Sequence, residues 1–140
     1  MWEYKQMENK KIILFLIGLI LTFSIIRVSA IILHDFESYS SENPFDSKAK
    51  TITGELRRIT GLDWHHIHFG IILISIVIPL IILNLHPFVW LIFGSGLSMI
   101  LDQFFPLINL GNYFGAPMFL ISILLHLIAI ETSLIISLEN

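Results

Sequence analysis

The apolar residues of this chain fall into blocks long enough to cross a lipid bilayer, and that blockiness limits the fold more than any other feature. A spanning helix needs about 20 apolar residues at a rise of about 1.5 Å each. The first block, IILFLIGLILTFSIIRVSAIIL, starts abruptly after Lys10 and Lys11 and covers 12–33 with one charge, Arg27. Three more follow, over 64–85, 88–105 and 116–136. The spacing predicts an all-α membrane protein: four transmembrane helices in an antiparallel bundle, forming one integral membrane domain over 1–140. Composition agrees, since 55% hydrophobic and only 14% charged residues make a poor water-soluble surface. The cell membrane is the expected location, and the lipid bilayer the first partner.

Between the first two blocks, residues 34–63 form a polar loop that includes SYSSENPFDSKAK. Within it, Leu56 and Ile59 of a short interfacial turn would face lipid, with Arg57 and Arg58 towards headgroups. Asp63 is positioned to cap the second span by accepting its first backbone N–H groups. Pro79 lies inside that span, Asn84, His86 and Pro87 make a tight link to the third, and Pro106 closes the third. The first block is longer than the core of a cleaved signal and is read as a retained helix. Four spans place both termini on one side. The lysines near the N-terminus compete with Lys48, Lys50, Arg57 and Arg58 opposite, and the balance favours termini inside. With no cysteine there are no disulfides or thiolate sites, and a net charge of −3 gives no footprint for nucleic acid.

Alternating direction brings four segments to one membrane face: the end of the first span, the start of the second, the end of the third and the start of the fourth. Nearly all the polar chemistry sits there. Arg27, His34 and Asp35 come from the first, Asp63, His65, His66 and His68 from the second, and Asp102 and Gln103 from the third. Helical phase puts His65 and His68 on one stripe and His66 on another, and aligns Ser95, Ser98 and Asp102. Gly94 and Gly96 permit close helix approach. An isolated charge at mid-helix costs about 2.5 to 3.5 kcal/mol to insert, so Arg27 and Asp102 are expected to pair, with Asp35 as the other candidate partner.

Three imidazoles in four residues, with Asp102 from the neighbouring span, suggest a divalent metal site of His65, His66, His68 and Asp102, supported by Arg27, His34, Asp63, Gln103 and Ser98. Nitrogen and carboxylate ligands suit Zn, Fe or Mn. Two other readings stand beside it: an interfacial hydrogen-bond cluster and a proton relay. His126, deep in the fourth span, reads as a buried histidine bonded to a backbone carbonyl. Ser98 reads as a packing residue, since no base at suitable spacing marks it as a nucleophile.

RRITGLDWHHIHFGI followed by GSGLSMILDQFFP resembles a family of small, chiefly archaeal prokaryotic membrane proteins that pair an HHxHxG segment with a GxGxxxxxD[EQ] segment. The resemblance covers about 51–114. It implies importance for His65, His66, His68, Gly70, Gly94, Gly96, Asp102 and Gln103, and implies no activity. Gln103 stands where members often carry glutamate, which removes a second carboxylate. Two function classes follow: a metal-binding membrane protein suited to metal-assisted hydrolysis or lipid-headgroup modification, and a non-enzymatic helper that assembles with itself or within a larger membrane complex.

Overall fold

A computed structural model describes residues 2–33, 59, 65–109 and 116–139. Among the described residues there are four helices and no strand: α1 (Trp2–Leu33), α2 (His66–Ile82), α3 (Val89–Asn109) and α4 (Ala116–Glu139). The polar loop, apart from an exposed Ile59, lies outside the described residues, as do His34, Asp35 and Asp63.

Two boundaries differ most from expectation. α1 begins well before its apolar block, because residues 3–11 contain no glycine or proline and are mostly good helix formers. α3 runs through Pro106 to Asn109. Proline there removes a single N–H donor, and the carbonyl four residues back belongs to Asp102, within the polar layer.

Chain direction alternates as the block order predicts. Along the α1–α3 crossing, Gly18 meets Leu91 and Ser95, and further on Arg27 meets Asp102, so these two helices run parallel. Gly70 meets Gly96 and Ile100 while Ile67 meets Gln103, so α2 opposes α3. Ser98 meets His126 and Asp102 meets Ser122, so α4 opposes α3 as well.

α3 is the central helix: no residue from Val89 to Gln103 is exposed. Two of its faces carry glycine contacts. A β-carbon at Gly94 would fall inside the contact shell of the Phe15 carbonyl, and one at Gly18 would strike that of Leu91. A β-carbon at Gly70 would lie 2.6 Å from the Gly96 carbonyl. Backbones approach this closely only where side chains are missing.

The distribution of polarity is inverted relative to a water-soluble bundle. Lys11, Arg27, Ser98, Asp102, Gln103, Ser122 and His126 are buried, whereas Ile13, Ile17, Ile20, Ile25, Ile72, Ile76, Leu124 and Ile128 are among many exposed aliphatic residues. One helical stretch, Asn9–Ser29, is long and apolar enough to cross a membrane. His66–Ile82, Val89–Phe104 and Leu120–Ile136 are shorter apolar stretches.

Candidate functional site

The polar residues meet around Asp102. Helical spacing puts Asp102 one turn beyond Ser98, on the α3 face that meets α1 and α4. The Nη2 of Arg27 lies 2.5 Å from Asp102 Oδ1, and the Ser122 hydroxyl donates to the same oxygen at 3.0 Å. Asp102 is 0% exposed and Arg27 6%. One carboxylate therefore joins three helices. Its neighbour Gln103 faces α2, where Oε1 accepts the Ile67 N–H at 3.0 Å, giving a first-turn donor a side-chain partner.

One turn deeper is a second polar pair. His126 Nδ1 lies 2.8 Å from the Ser122 carbonyl. A carbonyl only accepts, so Nδ1 carries a proton, and in the neutral ring Nε2 is then the acceptor. In that form the Ser98 hydroxyl, 3.0 Å away, donates to Nε2. The Phe23 ring of α1 packs against this imidazole at 4.3 Å between centroids, tilted by 39°, and the Arg27 guanidinium carbon sits 5.8 Å from the centre of Phe23. The expectation of a carbonyl bond for His126 holds, while its link to Ser98 went unread in the sequence. A hydroxyl bonded to an oriented base is the arrangement of an activated nucleophile. Ser98, however, is 0% exposed at mid-helix. The apolar groove of about 360 Å³ along α1, which includes Ile17, Ile20 and Ser24, shares no residue with this pair.

The histidine trio splits as the spacing suggests, His65 beside His68 and His66 apart, although His65 itself lies just outside the helix. His65 is the N-cap of α2, with an extended backbone (φ −119°, ψ 159°), so helical phase begins one residue later. The cap thus falls at His65 in place of Asp63. His68 is exposed, and its Nδ1 accepts the His65 N–H at 3.1 Å, with the two rings nearly parallel at 6.0 Å. It is His66 that turns inward, within electrostatic reach of Asp102, His65 and Arg27. Its Nδ1 is buried and has no hydrogen-bond partner among the described residues.

Among the described residues no group of three or more His, Cys, Asp or Glu side chains is placed to hold a metal ion. The capping bond occupies one nitrogen of His68, and Asp102 already serves a guanidinium and a hydroxyl. His34 and Asp63 lie outside the described residues. No known protein family, curated protein or solved structure matches the chain.

Proposed function

We propose that the chain is a four-span integral protein of the cell membrane and acts as a non-enzymatic helper or complex subunit, its polar cluster fastening the helices to one another. The observation that carries this reading is the buried Arg27–Asp102 pair inside a bundle whose outer surface is aliphatic. In water such a surface would drive association. In lipid it is the natural exterior, and charges turn inward and pair.

Two alternatives for α1 are less well supported. Only 28% of its apolar window is buried, less than a soluble core helix requires. A cleaved leader would take away the guanidinium that neutralises Asp102. The expected result is that the chain stays in the membrane fraction after alkaline carbonate extraction. Release into the supernatant would overturn the reading.

One observation favours a second reading, a bound divalent ion: the buried Nδ1 of His66 near Asp102. Such an ion would share Asp102 with the Arg27 guanidinium, and like charges repel. Helper function therefore ranks first. Elemental analysis separates the two: bound divalent metal that disappears in the H66A variant would reverse the ranking.

A further inference from the structure

The four helices are not equally fastened. α1 and α2 each cross α3 through glycines, whereas α4 contains no glycine and, among the described residues, packs more lightly against α3 and α1. The buried side chains described on α4 are Ser122 and His126. Both are tied by hydrogen bonds to α3, at Asp102 and Ser98. The other flank of α4 carries the exposed Leu120, Leu124, Leu127, Ile128, Leu134 and Ile135.

Resting on the membrane reading above, we propose that α4 is a lateral gate: it swings away from α3 within the bilayer and opens a polar seam lined by Ser98, Asp102 and His126. Lipid chains are as apolar as the aliphatic residues of α4, so the separated helix meets no hydrophobic penalty. What resists opening is the pair of polar bonds together with the Phe23 ring of α1 against His126. What opening uncovers is hydrogen-bonding surface, and the occupant that suits it is a polar, hydrogen-bonding group rather than an acyl chain.

The chain has no cysteine, so single introduced thiols report access without background. Ser98→Cys and Ser122→Cys place near-isosteric thiols under α4, one on each side of the seam. Leu19→Cys beside Gly94 and Val77→Cys on α2 place them at buried positions away from α4's polar bonds, where the native residues are 0% and 1% exposed. The full chain in membrane vesicles is treated with N-ethylmaleimide, and each rate is normalised to that of the same variant in denaturant.

A gate predicts modification of both seam thiols about tenfold or more faster than either control, as local opening of a weakly held element requires. Seam thiols protected as fully as the controls would overturn the proposal, and Ser122→Cys keeps the test decisive should Ser98→Cys not fold. Carbonate extraction of the same vesicles separates the two failures. A retained but unreactive chain rejects the gate alone, and a released chain rejects the membrane reading beneath it.

Discussion

The seam between α1 and α3 and the seam between α3 and α4 join the same central helix by different means. In the first, Gly18 and Gly94 let two backbones come within direct contact. In the second, Ser98, Asp102, Ser122 and His126 meet through two hydrogen bonds. In the membrane proposed for this chain, lipid supplies no hydrophobic drive for helix association, which leaves close packing and polar bonds as the available means. The contrast teaches that a bundle can hold one pair of helices by close backbone packing reinforced with an ion pair and another mainly by hydrogen bonds, with different sensitivities to substitution.

The largest expected effect comes from breaking the shape-based seam. A Gly94→Leu side chain would occupy the space of the Phe15 carbonyl. Overpacking that side chains can absorb typically costs about 1 to 3 kcal/mol; here the obstacle is backbone on the facing helix, so complete loss of the folded bundle is expected in detergent unfolding titrations. Intact unfolding behaviour would show that the two backbones can part without consequence.

The next effect belongs to the charge pair, which anchors α3 to α1 by chemistry alongside the glycines. Asp102→Leu leaves a buried guanidinium without its carboxylate and is expected to cost about 3 to 5 kcal/mol, whereas pairing it with Arg27→Leu should recover most of that loss. A double variant as unstable as the single one would mean that Asp102 does something besides neutralise Arg27. The smallest effect tests the chemical seam itself: Ser122→Ala should cost about 0.6 to 1.7 kcal/mol, the range for one interhelical bond in lipid. A larger loss would show that α4 is held more firmly than its packing indicates.

Much of this contrast was legible in the residues. Block spacing gave four helices and their alternation, and the insertion cost of two opposite charges gave the Arg27–Asp102 pair. Gly94 and Gly96 announced close crossings. Spacing separated His66 from His65 and His68 but did not set which of the two sides faces the bundle, because that depends on how α2 is rotated against α3. The Ser98–His126 bond was missed because it joins side chains on different helices, and sequence alone does not set their relative depth. A signal was nevertheless present. Ser98 and Asp102 are four apart on α3, and Ser122 and His126 are four apart on α4, so two antiparallel helices can match both pairs at once.

The central place of α3 bears on how the molecule is made. Among the described residues α1 and α2 share little or no contact with each other, and both dock on α3. On the membrane reading proposed above, the first two helices enter the bilayer during synthesis before their common partner exists, with Arg27 emerging long before Asp102. Until the third helix arrives, that guanidinium has to be kept near water or sheltered by the insertion machinery. Biogenesis of the bundle is therefore timed by its third segment, and delay there would leave a half-built chain exposed to quality control.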